Sequence, residues 1–354
     1  MLRHWPLTLI YMHAECVGSF GLGVSLWGIT NYISSVDQSK RIYPLLSLFA
    51  GLATFIAGEV IKRLDIQQGF MVCIVSFFVL ILIYNWLISV VKRKSDVYII
   101  SKKTSKKKVK MSLKESFAVV FKSRYLTGIA LLVLGYAISI VLFEGVYRDA
   151  LKTLAAKDDQ VIKSWTSFQL RSIGALQMIC VWLAPYIMRR KWEFGASFVP
   201  RLLFVGTICF FGLTFLGTYI PVTYVQDNLQ YLTVGTGLSV IVLVKTLKYI
   251  LFDSTKEMAY SPLSDGQQPI AKSAVDGVGS RMGKGFSAIL ITFTIVPIFG
   301  GVANAYARGF IGILIGGTLV IWLWAVKDVG TRFRAMLKTK PKAHATKTQP
   351  VNKA

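Results

Sequence analysis

Long runs of apolar residues recur along the chain, separated by shorter polar stretches. Each run is close to 20 residues or longer, enough for a helix to cross a bilayer with a hydrocarbon core of about 30 Å. The runs are too long for the strands of a membrane barrel, so the spans are predicted to be helices. The pattern predicts an all-α polytopic membrane protein with about nine transmembrane helices, near residues 6–33, 41–61, 69–91, 125–147, 165–188, 198–219, 233–252, 275–299 and 308–326.

The composition supports a membrane location. Of the 354 residues, 54% are hydrophobic and 16% are charged, whereas soluble domains carry about 25% charged residues. The net charge of +24 would suit a nucleic-acid partner. The basic residues lie mostly between the spans and in the C-terminal tail, however, so we expect no binding to nucleic acid.

The distribution of lysine and arginine indicates the orientation, because basic loops stay on the cytoplasmic side of a membrane. When the spans are counted in order, the basic stretches 92–124 and 327–354 fall on the same side. The C-terminus is therefore expected in the cytoplasm and the N-terminus outside. The segment 92–124 is interpreted as a solvated basic linker, with contact to anionic lipid as a secondary role. Residues 329–354 are expected to be disordered.

Several basic residues interrupt the predicted spans, where an ionised side chain costs about 2.5–3.5 kcal/mol at mid-depth. Lys245 and Lys248 are three residues apart and are predicted to share one helix face, and Arg281 and Lys284 repeat this spacing in the next span. Two neighbouring helices would then present cation pairs to a water-filled interior that attracts polyanions. The alternative is that each cation pairs with a buried carboxylate.

Carboxylates inside the spans are candidates either for such pairs or for a coupling or gating role. Glu15 has no lysine or arginine within a helical turn, so it either meets a cation from another helix or is protonated. Glu144 precedes Arg148 by four residues, which makes a local ion pair its alternative to a coupling role. Glu59 is expected to pair with the basic residues 62–63 at the end of its own span.

The segment GVGSRMGKGF, residues 277–286, is close to the ATPase phosphate loop G-x-x-x-x-G-K-[ST] but does not fit it. Val278 stands in place of the first glycine, and Gly285 replaces the hydroxyl residue that would hold magnesium. The segment also opens a membrane helix. We therefore expect no ATP-hydrolysing enzyme and no cofactor or metal, and we expect these glycines to let helices pack closely.

Five segments carry a resemblance to a known family. LKYILFDSTKEMAYSPLSD (247–265) and AKSAVDGVGSRMGKG (271–285) resemble the hallmark region of the ATP/ADP translocases, the nucleotide transporters of plastids and obligate intracellular bacteria. YMHAECVGSFGLGVSLWGITNYI and SKRIYPLLSLFAGLATFIAG resemble the fourth and fifth helices of that family, and AISIVLFEGVYRDALK resembles its seventh. The match runs in order over residues 5–328.

The family has twelve helices in two six-helix halves, similar to the major facilitator architecture. The resemblance therefore implies a truncated chain that begins at the fourth helix and lacks about three N-terminal helices. It would consist of a three-span remnant of the N-terminal bundle (1–91), the basic linker (92–124), a C-terminal six-helix bundle (125–328) and the tail (329–354). The expected location is the bacterial cytoplasmic (inner) membrane.

The resemblance also implies exchange of ATP for ADP by alternating access, with the nucleotide phosphates bound by lysine and arginine. The substrate-binding residues would be Lys248, Lys245, Arg281 and Lys284. The coupling or gating residues would be Glu15, Glu144, Asp253 and Lys256. The alternatives are proton-coupled nucleotide uptake and a remnant that does not transport.

Overall fold

A computed structural model of the chain describes residues 9, 36–93, 113–156, 158–183, 186, 192–219, 223–260, 262–263 and 271–339. Three predicted segments lie wholly or mostly outside these residues: the span 6–33 with Glu15, the basic linker, and the tail. What the sequence indicates for the undescribed parts of those segments stays a prediction. Residues 329–339 of the tail are described and belong to the helix Ala305–Thr339, in which Val329 and Phe333 are buried, so the expected disorder is corrected for this stretch.

In the described part of the chain every regular element is helical, as the apolar pattern predicts. The α-helices are α1 (Val36–Arg63), α2 (Ile66–Arg93), α3 (Leu113–Lys122), α4 (Arg124–Leu154), α5 (Asp159–Cys180), α6 (Trp192–Tyr219), α7 (Thr223–Leu247), α8 (Asp253–Tyr260), α9 (Ser280–Leu290), α10 (Val296–Phe299) and α11 (Ala305–Thr339). A short 3₁₀ segment follows α5, and π-helical segments lie at Lys248–Phe252, Ser273–Gly279 and Ile291–Ile295.

Seven of the described helical stretches are long and apolar enough to cross a membrane. They are Leu45–Arg63, Gln67–Val90, Arg124–Leu154, Trp192–Gly217, Asn228–Tyr260, Ala274–Phe299 and Ala305–Met336. Each overlaps a predicted span, which confirms the all-α polytopic class. Among the predicted spans that the structure describes, 165–188 is the exception, because its helix, α5, is not among the seven. Polar residues within α5, such as Lys163 and Arg171, make it less apolar than the others.

The chain divides into two compact units. One comprises Met1–Phe49 and Arg63–Val109, and the other comprises Ala50–Lys62 and Lys110–Ala354. In the first unit, all side chains of residues 71–86 on α2 are exposed, and most of them are apolar. Lipid solvates apolar side chains as well as a protein interior does, so this surface suits a bilayer.

Close packing of helices holds the second unit together. Helix α4 packs along α11, and Phe143 of α4 and Trp322 of α11 are fully buried. A Cβ atom added at Gly128 would lie 2.5 Å from Val329, and one at Gly135 would lie 3.0 Å from Trp322. Because apolar side chains gain little by leaving lipid, small residues that permit close contact are the main source of such packing.

The segment that resembles a phosphate loop is entirely helical over its described length, with the π-helical residues Ser273–Gly279 leading into α9. A Cβ atom at Gly283 would lie 2.8 Å from the Cβ atom of Ala137 on α4. This confirms the expected role in close helix packing for Gly283 but not for Gly285, where an added Cβ atom would meet nothing within 4 Å. The structure shows no phosphate-binding loop at these residues.

A polar contact joins Ala50–Lys62 to α5 inside the second unit. Ser167 donates a hydrogen bond to the carbonyl oxygen of Gly58 at 2.8 Å, and the guanidinium of Arg171 lies 2.9 Å from Oε1 of Glu59. The expectation that Glu59 pairs with the basic residues 62–63 stays a prediction. Glu59 has a partner on another helix, and this partner is one of the cations inside a predicted span.

Candidate functional site

The span that carries two of the predicted phosphate ligands is not a continuous α-helix. Between α7 and α8 lies the π-helical segment Lys248–Phe252, in which the backbone N–H of Asp253 donates to the carbonyl oxygen of Lys248. Two more π-helical segments, Ser273–Gly279 and Ile291–Ile295, lie on either side of α9 in the next span. Single π-turns inside α-helices are rare and frequently occur at functional sites. These two spans are therefore the first candidates for the site.

The π-turn places Lys248 against Asp253, with Nζ 2.9 Å from Oδ2. In a regular α-helix of 3.6 residues per turn, side chains five residues apart point roughly 140° away from each other. The wider π-turn brings them to the same side. Both side chains are partly buried, with exposed fractions of 23% and 32%. Lys248 is thus a cation inside a membrane span that is neutralised by a carboxylate of its own helix.

Asp253 also connects Lys248 to a chain of charges that continues along α8. The ammonium group of Lys256 lies 3.9 Å from Oδ1 of Asp253 and 3.2 Å from Oδ1 of Asp276. The hydroxyl of Tyr260 donates a hydrogen bond to the same oxygen of Asp276 at 3.2 Å. The structure therefore brings Asp253 and Lys256 together, and their coupling or gating role stays a prediction. Sequence reasoning did not place Tyr260 in this network.

A second ion pair joins α4 to α7. The ammonium group of Lys245 lies 2.6 Å from Oε1 of Glu144, and the exposed fractions of the two side chains are 27% and 18%. Arg148 is farther away, 3.9 Å from Oε2 of Glu144, and its side chain is 73% exposed. Lys245, rather than the local arginine, is thus the main partner of Glu144. Lys245 and Lys248, two of the residues predicted to bind phosphate, therefore each have a carboxylate partner of their own.

Two tyrosine rings lie near the ammonium group of Lys248. The ring centre of Tyr249 lies 4.2 Å from Nζ, and that of Tyr136 on α4 lies 5.9 Å away. Tyr136 is stacked on Phe252, with ring centres 5.7 Å apart, and meets Trp322 of α11 edge to face at 6.1 Å. Sequence reasoning missed all four rings. The only signal in the sequence was that Tyr249 and Phe252 lie close to Lys248 along the chain. This signal is weak, because aromatic residues are common in apolar spans.

Arg281 and Lys284 lie at the start of α9, on either side of Gly283, which contacts α4. Successive residues of an α-helix are about 100° apart, so Lys284 lies to one side of that contact and Arg281, two residues before Gly283, lies on the opposite side of the helix. Lys284 is exposed and Arg281 is partly exposed. Their role as substrate ligands stays a prediction, as does the role of Glu15, which lies outside the described residues.

Further ion pairs lie near the ends of the long helices. Arg308, near the start of α11, is 3.0 Å from Asp149 near the end of α4. At the opposite ends of these helices, Asp328 lies 2.9 Å from Arg332 and 3.6 Å from Arg124. The pairs Arg308–Asp149 and Arg124–Asp328 link α4 to α11 and join residues far apart along the chain, so sequence reasoning did not find them, whereas Asp328–Arg332 lies within α11.

Comparison with known proteins identifies the family. The model of the TLC ATP/ADP transporter family matches residues 1–333 of this chain. The chain belongs to that family. It is therefore an integral membrane protein of a transporter family, and the resemblance seen in the five sequence segments is confirmed.

Curated relatives of this family member come from bacteria and from a plant plastid. ADP,ATP carrier protein 1 of Rickettsia prowazekii is 29% identical over 96% of this chain and 71% of its own length. The protein of the same name from Rickettsia bellii is 30% identical over the same shares. ADP,ATP carrier protein 2, chloroplastic, of Arabidopsis thaliana is 28% identical over 95% of this chain and 56% of its own length. No solved structure gives a significant match.

Proposed function

We propose that this chain transports nucleotides and exchanges ATP for ADP by alternating access. The family and the names of the relatives support this substrate class. The structural observation that supports it most directly is the presence of two lysines, Lys245 and Lys248, inside one membrane span and each paired with a carboxylate. Such an arrangement favours an anionic substrate over a neutral or cationic one.

The chemistry of the pairs suggests how a polyphosphate binds and leaves. A buried charge that loses its partner costs about 3–5 kcal/mol, so the lysines need an anion at every stage. Without substrate that anion is Asp253 for Lys248 and Glu144 for Lys245. A phosphate group offers the same interaction, and lysine binds it as a compact point charge. Substrate binding then replaces one anionic partner with another, so neither the filled nor the empty site is excessively stable.

The exchange can be measured with the full chain in liposomes. Vesicles loaded with ADP, or with buffer alone, are given labelled ATP outside at equal pH on both sides. We expect internal ADP to stimulate the uptake of ATP strongly. Stimulation by an imposed proton gradient instead of ADP would favour proton-coupled uptake. No uptake under either condition would contradict nucleotide transport by this chain.

The proposal includes the orientation indicated by the basic loops, with the C-terminus in the cytoplasm of a bacterial cell. Lys122 ends α3 and Lys152 lies in the last turn of α4, and both are exposed. After replacement of the native cysteines, a membrane-impermeant maleimide is expected to label Lys152→Cys in intact cells. It should label Lys122→Cys only after the cells are permeabilised. The reverse pattern would overturn the orientation.

A further inference from the structure

The surface beside Lys248 includes an aromatic ring that the ion pairs leave accessible. Within the π-turn, Ile250, Leu251 and Phe252 are buried, with exposed fractions of 3%, 0% and 3%, whereas Tyr249 is 45% exposed. The π-turn thus directs three apolar side chains into the core of the second unit. It leaves the tyrosine on the accessible side, next to the ammonium group of Lys248.

A second ring near Lys248 has its position determined by packing. Tyr136 is held between the stacked ring of Phe252 and the edge-on ring of Trp322, which is fully buried. Its own side chain is only partly buried. Lys248 therefore has one ring fixed in the core, Tyr136, and one ring that reaches the surface, Tyr249.

Resting on the proposed function, we infer that Tyr249, backed by Lys248 and Tyr136, is the surface on which the base of the transported nucleotide stacks. An aromatic side chain stacks with any base, because every base has a π-face. One face of the Tyr249 ring lies against the ammonium group, and the side chain remains accessible. A base on the outer face would lie one ring spacing farther from Nζ, so Lys248 would contact the phosphates nearest the ribose.

This arrangement predicts a particular kind of selectivity. Stacking tolerates different bases, and preferences among them follow stacking strength rather than hydrogen bonding. The Tyr249 ring would therefore distinguish nucleotides from phosphate compounds that lack a base. It would contribute little to the choice between adenine and guanine.

A competing role for Tyr249 is to hold the Lys248 ammonium group in place through the cation–π contact. The two roles differ in what they affect. A ring that only positions Lys248 supports the binding of every phosphate compound equally. A ring that stacks the base supports ATP and has no effect on inorganic tripolyphosphate, which has a comparable chain of phosphates and no base.

The test measures the Kd of ATP and of inorganic tripolyphosphate for the purified full chain in lipid nanodiscs. For Tyr249→Leu we expect the Kd of ATP to rise about tenfold, the effect of losing one base–ring stack, with the Kd of tripolyphosphate unchanged. Tyr249→Phe keeps the ring and should bind ATP as the unaltered chain does. Tyr231→Leu is the matched control, since Tyr231 lies on α7 and is 59% exposed, and it should change neither Kd.

Three results would contradict base stacking on Tyr249, and each has a different explanation. Equal weakening of ATP and tripolyphosphate by Tyr249→Leu would overturn the stacking role and assign the ring to positioning Lys248. Unchanged ATP binding would overturn any role of the ring in recognition. If the unaltered chain bound neither compound, the proposed function itself would fail, and this inference with it.

Discussion

Replacing Lys248 with alanine is expected to weaken ATP binding by about two orders of magnitude. Truncating one partner of a desolvated, hydrogen-bonded charge pair costs about 2–5 kcal/mol, and each 1.4 kcal/mol corresponds to about tenfold in Kd. Lys248 meets this condition, because its side chain is 23% exposed and its ammonium group already binds a carboxylate. Equilibrium binding of ATP to the full chain in nanodiscs measures the effect.

Two further variants separate ligand binding from stability. Lys327→Ala removes an exposed lysine on α11 and should leave the Kd of ATP unchanged. The double variant Lys248→Ala/Asp253→Ala removes both charges of the pair, so it should regain thermal stability lost in Lys248→Ala without regaining ATP binding. Equal Kd values for Lys248→Ala and Lys327→Ala would contradict the ligand role. Recovery of binding in the double variant would show that Lys248 serves mainly to neutralise Asp253.

The sequence predicts the membrane helices well because apolar length is a direct requirement of the bilayer. The spans predicted at 125–147 and 308–326 are present as α4 and α11. The helices are longer than the spans, with 31 and 35 residues, because they continue into polar flanks that apolar content does not reveal. For helix α5, in contrast, apolar content was a poor guide. Its apolar run suggested a span, yet its polar residues include Arg171, which is paired with Glu59.

The site could be predicted as a set of residues but not as a geometry. The sequence singled out Lys248 and Asp253, but they are five residues apart, a spacing that places side chains on different faces of an α-helix. Only the π-turn makes them partners, and no sequence pattern signals such a turn. Lys245 and Lys248, predicted to share a face, both have partners on α4: Glu144 for Lys245 and the ring of Tyr136 for Lys248. The partners of Glu144 and Asp253 therefore depended on the fold.

The pairing of Glu144 with Lys245 leads to an unusual expectation for Glu144→Gln. If the carboxylate competes with phosphate for Lys245, removing its charge strengthens ATP binding, because the ammonium group then lacks an anion until the nucleotide arrives. Release slows for the same reason. We expect the Kd of ATP to fall about tenfold, which corresponds to about 1.4 kcal/mol and is smaller than the cost of about 2–5 kcal/mol for breaking a desolvated charge pair. The rate of ATP/ADP exchange should fall as well.

Asp149→Asn is the matched control for Glu144→Gln, because Asp149 lies on the same helix and pairs with Arg308 rather than with a predicted phosphate ligand. It should change neither the Kd of ATP nor the exchange rate. ATP binding to the chain in nanodiscs and exchange in ADP-loaded liposomes are measured on the same preparations of each variant.

A higher Kd together with slower exchange in Glu144→Gln would show that the carboxylate supports binding instead of competing with it. Intact exchange combined with loss of proton-driven uptake would assign Glu144 to proton coupling. Tighter binding with slower release in Glu144→Gln is the result expected if Glu144 and the phosphates take turns as the partner of Lys245. In that case the carboxylate of Glu144 displaces the phosphates and so allows the nucleotide to leave.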